Sequence, residues 1–201
     1  MTSEQALQLL PHRTPDSAQT LVFVGRRGMG KTWLIGRYLM AREPRVLVLD
    51  PFEDFRAIRR RLTVERALED LAEGKPCRRR IVPPFGGDTK AWARSFFAAC
   101  RAELRDCLLV LDEISLYSET KAPDDLEALL LQGRRIGVRT LLASQRLVTV
   151  PVEARSACTE LVLFQQTGPL DLDQVERWTA TKDAAEAAPK LGPWECLVVT
   201  L

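Results

Sequence analysis

The chain has 201 residues, 46% of them hydrophobic, and carries 29 Lys and Arg against 27 Asp and Glu. That length builds one sizeable core and leaves no room for two ordinary domains joined by a long linker. A net charge of +2 excludes the strong overall field that would by itself draw a protein to nucleic acid or to a membrane.

Residues 1 to about 19 are polar with two prolines and an apolar cluster at Leu7, Leu9 and Leu10. They read as a short helix or arm packed on the body, and residues 20–201 as a single domain. The N-terminus has no basic-then-apolar signal pattern, and no apolar run approaches the ~18 residues that span a bilayer. A soluble, non-transmembrane protein in a reducing, ATP-containing compartment is expected. His12 is the single histidine, and Cys77, Cys100, Cys107, Cys158 and Cys196 show no Cys-x-x-Cys spacing. Neither a zinc site nor a disulfide framework is expected from such a set.

The apolar run Leu21-Val22-Phe23-Val24 feeds Gly25-Arg26-Arg27-Gly28-Met29-Gly30-Lys31-Thr32, and apolar residues follow at helical spacing from Trp33 to Met40. G-x-x-x-x-G-K-[ST] between a strand and a helix is a phosphate-binding loop. Its glycines let backbone N–H groups curl round an oxyanion, and the helix beyond points its positive end at the phosphate. Residues 25–33 are therefore the candidate nucleotide segment, with Lys31 reaching the β- and γ-phosphates of ATP and the Thr32 hydroxyl ligating Mg²⁺. Trp33 and the N-terminal arm are candidates for the adenine contact; a core role for Trp33 is the alternative.

Arg45 to Leu49 is a continuous apolar strand stopped by Asp50-Pro51, the kind that suits a parallel sheet covered on both faces. Residues 52–62 and 63–73 both read as helical, the second capped by Thr63 with Arg66 and Asp70 on its polar side. A basic turn over 74–80 precedes a short strand at Ile81-Val82 and the breakers Pro83-Pro84 and Gly86-Gly87. Asp88 or Thr89 opens a long helix with Trp92, Phe96, Phe97, Cys100 and Leu104 on one stripe, which reads as core.

A strand at 108–111 ends in Asp112-Glu113. After a loop over 115–122, a helix begins near Pro123 and runs to Gly133-Arg134-Arg135-Ile136-Gly137, where glycine supplies the stop. Strands follow at 138–143 and 161–164, a helix at about 171–179, a turn at 190–195 and a final strand at 196–200. The alternation gives the fold class: α/β, a mainly parallel P-loop NTPase sheet sandwiched by helices, with an added C-terminal strand.

In open α/β sheets ligands sit beyond the carboxyl ends of the strands. Asp112 fits the acid that holds the Mg²⁺ shell, and Glu113 beside it could polarise an attacking water, which favours hydrolysis over transfer to a substrate hydroxyl. Gln145 could touch both γ-phosphate and water, or be a satisfied strand-end amide. Arg134, Arg135, Arg139 and Arg146 surround that strand as candidates for an arginine acting across a subunit interface. Asp50, closing the second strand, is a further strand-end acid. The arginine blocks 59–61 and 78–80 could pair phosphates or be plain solvated faces.

Taken together, G-R-R-G-M-G-K-T, L-V-L-D-P-F-E-D-F, L-L-V-L-D-E, G-R-R-I-G-V-R-T-L-L-A-S-Q-R and L-G-P-W-E-C-L-V-V resemble the FtsK/HerA superfamily of DNA-pumping ATPases, of the RecA/ASCE-like division. The resemblance covers most of residues 20–201. It implies a hexameric ring, nucleotide at subunit interfaces, an arginine finger in trans, double-stranded DNA through the pore, and catalytic roles for Lys31, Glu113, Gln145 and Arg134 or Arg135. Small size and the lack of accessory domains are similar to the genome-packaging ATPases of tailless, membrane-containing double-stranded DNA viruses. That implies the host cytoplasm or virion as location, with capsid or membrane-vertex proteins as partners. Tyr117 and Lys121, and Arg78, Arg79 and Arg80, are the pore candidates for DNA backbone contact. A cellular or plasmid HerA-like translocase, a P-loop switch that moves no DNA, and a small-molecule kinase are the alternatives; Glu113 speaks against the last.

Overall fold

Apolar runs without alternation need cover on both faces, and such strands form the centre of the computed structural model, which describes residues 1–9, 20–61, 63–84 and 88–201. The strands are β1 (Thr20–Val24), β2 (Arg45–Leu49), β3 (Arg59–Arg61), β4 (Cys77–Ile81), β5 (Leu108–Leu111), β6 (Arg139–Ser144), β7 (Glu160–Leu163) and β8 (Leu197–Thr200). They make one sheet in the order β3-β4-β2-β5-β6-β1-β7-β8. Every neighbouring pair is parallel except β7 with β8. This is the expected P-loop fold with its added C-terminal strand. β6 lies between β1 and β5, with Val24 opposite Ser144 and Leu111 opposite Leu142. The phosphate loop, the acidic pair and Gln145 therefore leave the sheet at one edge.

The helices are α1 (Ser3–Leu9), α2 (Lys31–Arg42), α3 (Val64–Ala72), α4 (Thr89–Glu103), α5 (Asp124–Gln132), α6 (Val152–Ala157), α7 (Pro169–Thr179) and α8 (Lys182–Ala187). Alternate strand residues face opposite ways. Leu21, Phe23, Val46, Val48, Leu108, Val110 and Leu141 pack under Leu34, Ile35, Tyr38 and Leu39 of α2. Val22, Val24, Leu47, Leu49, Leu109, Leu111 and Leu142 pack under α3 to α8. The α4 stripe Phe96, Phe97, Cys100 and Leu104 is buried in that second layer, capped at its start by Asp88 Oδ1 accepting from Ala91 N at 2.9 Å.

Three expectations change. Residues 51–58 are turns followed by β3, not a helix. The Asp50 carboxylate accepts from Asp54 N at 2.9 Å and Phe55 N at 3.1 Å, and Glu53 takes φ 57. A side chain that bonds the backbone so close by competes with helix formation. The basic stretch expected as a turn is strand β4, hydrogen-bonded from Cys77 opposite Arg45 to Ile81 opposite Leu49. Its arginines are absorbed by neighbours, and charged residues suit the β3–β4 margin because they blunt a sheet edge. Helices α6 and α8 have no counterpart in the sequence reading. Leu10, His12, Leu62, Gly86 and Gly87 and the side chains of Leu7 and Leu9 lie outside the described residues. Among the described residues no helix is long and apolar enough to cross a membrane.

Candidate active site

β1 ends at Val24 and passes into Gly25, and the loop reaches α2 through Gly28 at φ 81 and Gly30 at φ 103. The three glycines serve different needs. Gly28 and Gly30 occupy the left-handed region that other residues avoid. Gly25 is required by proximity, since a Cβ there would lie 2.3 Å from Phe164 Cβ. Gly25 N donates to Ser144 O at 3.2 Å and Arg26 N to Gln165 O at 3.2 Å, which ties the loop to the ends of β6 and β7. The first N–H groups of α2 have no intrahelical partner and open on a cleft of about 960 Å³.

That cleft is lined on the phosphate-loop side by Arg27, Gly28, Gly30, Lys31, Thr32 and Trp33, and across it by Asp112, Glu113 and Gln145. Lys31 Nζ donates to the carbonyls of Gly25 and, at 3.1 Å, Arg26. Burial lowers its pKa against the opposing pull of Glu113 and Asp112. Asp112 is buried at 6% exposure. Burial pushes its carboxyl up to about 7, with Asp50, Glu113 and Asp54 adding to the rise and Lys31 opposing it. Burial also raises Asp50, against the Asp54 and Phe55 amides and Arg80.

Glu113 takes φ 52 at the turn after β5, a backbone strain of about 1–3 kcal/mol that tends to collect at functional sites. Its carboxylate accepts from Ser115 Oγ at 2.8 Å, Gln145 N at 3.4 Å and Gln145 Nε2 at 3.1 Å. Gln166 Nε2, from the end of β7, donates to Gln145 O at 3.0 Å. The acid and the amide expected at two strand ends are thus in direct contact.

The other anticipated residues scatter. Arg134 and Arg135 are exposed in a 3-10 turn before β6 and line no part of the cleft. They sit at the opposite edge of the sheet from the phosphate loop, so within one chain they cannot serve it. Arg139 is not a free cation: it is buried and donates from both terminal nitrogens to Glu43, at 2.9 Å to Oε1. Arg146 pairs with Asp171 at 3.1 Å.

Of the DNA candidates, Lys121 is exposed. Tyr117 is a core residue at 1% exposure, and Arg80 is buried against Asp50 at 3.2 Å, so neither offers a surface to a DNA backbone. Arg78 donates to Glu43 O at 2.7 Å and Arg79 to Asp70. Sequence inspection misses Ser115, Gln166, and the cleft residues Arg37, Asp54, Arg56 and Trp194. Of these, Asp54 and Trp194 lie in stretches that carry the family resemblance, and the others carry no signal.

Mg²⁺ fits what is present. Among the described residues no group of three His, Cys, Asp or Glu could hold an ion alone. Mg²⁺ characteristically takes one or two protein oxygens with water and substrate phosphate. A dication beside Asp112 would offset the burial of its charge and the repulsion from Asp50, Glu113 and Asp54, which together raise its pKa.

Residues 13–148 match the sequence profile of the AAA domain family, and no curated protein matches the chain in sequence. Among solved structures, the fold is similar to that of the genome packaging NTPase B204 from Sulfolobus turreted icosahedral virus 2 in complex with AMP, at 18% identity over 94% of each chain with a TM-score of 0.72. The same protein in complex with ATP-gammaS gives the same figures. VirB4 of Thermoanaerobacter pseudethanolicus matches at 12% identity over 94% of this chain and 89% of its own, with a TM-score of 0.70.

Proposed function

This chain belongs to the AAA domain family and has the P-loop ATPase fold that the FtsK/HerA resemblance implies; from that premise we propose that it is an ATP-driven double-stranded DNA translocase. In this reading it works as a homomeric ring, hydrolyses ATP between subunits and packages a viral genome. The observation that carries it is the contact of Glu113 with Gln145 across the cleft from Lys31 and Thr32. A carboxylate facing the phosphate loop serves water activation, and an amide bonded to it can link that acid to the state of the nucleotide. The likeness in fold to a genome packaging NTPase supports the packaging part.

The chain's own residues divide the work as follows. The open amides of the loop and α2 receive the triphosphate. Lys31 leaves the Gly25 and Arg26 carbonyls for the phosphate oxygens, where its charge is better compensated. Thr32 and Asp112 would hold Mg²⁺, Asp112 through water, and the ion supplies charge neutralisation at the β- and γ-phosphates. When the Gln145 amide turns to the γ-phosphate, a Glu113 oxygen is released to accept the proton of the attacking water. Arg134 or Arg135 reaches the site of a neighbouring copy, and Lys121 contacts the DNA backbone.

The test is the ATPase rate with and without double-stranded DNA across a salt series. Stimulation at low salt that fades as salt rises is expected, because backbone contacts by cations release counterions. No stimulation at low salt would turn the reading to a P-loop switch that times a protein interaction.

A further inference from the structure

The turn before β8 holds a side chain in a conformation that packing alone does not call for. Trp194 sits at φ 67, where glycine or asparagine is at ease and a large residue is strained, and it is 49% exposed. The placement is over-determined. Trp194 N donates to Met29 O at 3.0 Å, and Trp194 O accepts from Ser3 N and Ser3 Oγ, both at 2.8 Å. An antiparallel bridge from Thr2 to Glu195 holds the same two segments together. The indole stands so close to the phosphate loop that a Cβ on Gly30 would come within 2.8 Å of its Cε3. It meets Trp33 edge to face, centroids 5.5 Å apart and planes at 84°, and Arg37 Cζ lies 5.2 Å over the Trp33 ring.

These three residues line the same cleft as the phosphate loop. The acids Asp112 and Glu113 define the end where phosphate chemistry belongs. Trp33, Gly36, Arg37 and Met40 share one face of α2 by their spacing and, with Trp194 against Trp33, give the cleft aromatic and aliphatic surface and one guanidinium, with no carboxylate among them. A nucleoside triphosphate has one group of matching character, its base.

We propose that the exposed indole of Trp194, propped by Trp33, is the stacking platform for the nucleobase of the bound nucleoside triphosphate. Ser3 is a positioning residue that acts through the Trp194 carbonyl. The strained backbone serves to hold the ring out of the core and beside the loop, so that one ligand bridges an anion cradle and an aromatic surface. The proposal rests on the nucleotide-binding part of the reading above and is independent of DNA movement.

The test compares binding of Mg-ATP and of tripolyphosphate, which lacks the base, to the full chain by titration calorimetry. Trp194→Gly removes the ring and relieves the left-handed backbone. It should weaken Mg-ATP by roughly 5- to 150-fold, the range for loss of one base–aromatic stack, and leave tripolyphosphate unchanged. Trp194→Phe should restore most of the loss, and Ser3→Ala should produce a smaller loss, again for Mg-ATP alone. An equal loss for both ligands would mean that Trp194 only props the phosphate loop, and unchanged Mg-ATP affinity would mean no stacking; either overturns the proposal. A wild-type chain that bound neither ligand would overturn it together with the ATPase reading. A DNA-insensitive ATPase, by contrast, would remove the translocase and leave the platform standing.

Discussion

Arg139 is by sequence a candidate for the arginine that acts across a subunit interface, and its surroundings give it a different role that can be measured. Its guanidinium donates to both oxygens of Glu43, whose side chain is fully buried, and Tyr38 OH donates to the same carboxylate at 3.1 Å. Burial and the neighbouring Glu43 push the Tyr38 phenol up, so it stays protonated as a donor. Arg139→Met leaves the Glu43 charge in the interior with one neutral donor. Breaking a buried pair from one side costs about 3–5 kcal/mol. For a chain of this size each kcal/mol moves Tm by roughly 2–4 °C, so the melting point should fall by about 6–20 °C. The Glu43→Met and Arg139→Met double substitution should recover most of that loss, because apolar replacement of a whole buried pair is close to neutral. The assay is thermal unfolding alongside ATPase turnover at a temperature where all variants are folded. Turnover per folded molecule should be retained in the double variant. An unchanged Tm with turnover abolished in Arg139→Met would refute the structural assignment and return Arg139 to the catalytic candidates.

Glu113→Gln should bind ATP and lose turnover by about 10²–10⁴-fold, the usual contribution of a positioned general base; full activity would take Glu113 out of that role. Arg134→Ala should abolish hydrolysis, and mixing it with Lys31→Ala should restore part of the rate at hybrid interfaces. Normal hydrolysis by Arg134→Ala moves the finger to Arg135. Stability should also respond to acid through Asp70, whose Oδ2 accepts from both Arg61 and Arg79, the two bonds that hold its carboxyl at about 2. Its folded pKa lies below the unfolded value near 4, so the stabilisation is complete above pH ~4 and is lost as pH falls towards 2. Chemical denaturation of Asp70→Asn should show lower stability than wild type at neutral pH and a gap that closes over that window. A gap independent of pH would contradict the assignment.

The parts of the site legible in the sequence are those whose chemistry is local in the chain. The phosphate loop announces itself by spacing and flanks, and Asp112-Glu113 and Gln145 each close an apolar run, which is where ligands of parallel sheets are met. Their mutual contact is not legible, since it depends on β6 being inserted beside β5. The margin of the sheet escapes a sequence reading for a physical reason: β3 is three arginines and β4 holds three more, a composition without apolar alternation, and the acceptors of most of these guanidiniums, Asp50, Glu53, Asp70 and backbone carbonyls, are brought to them by the fold. Tyr117 lies in a polar stretch and is nevertheless core. Trp194 falls in the turn expected of its Gly-Pro neighbours, yet nothing in the sequence says that this turn folds back onto Gly30. Arg134 and Arg135 are exposed and away from the cleft, whose arginines among the described residues are Arg27, Arg37 and Arg56.

If hydrolysis at this cleft moves DNA, as proposed, the chain should displace a triplex-forming strand from double-stranded DNA, followed in time at low salt with ATP and Mg²⁺. Wild type should displace the strand only with hydrolysable ATP, and Glu113→Gln, although it binds ATP, should not. Brisk ATP hydrolysis by the wild-type chain with no displacement on any duplex, at salt low enough for the protein to stay bound, would mean that this ATPase does not move DNA.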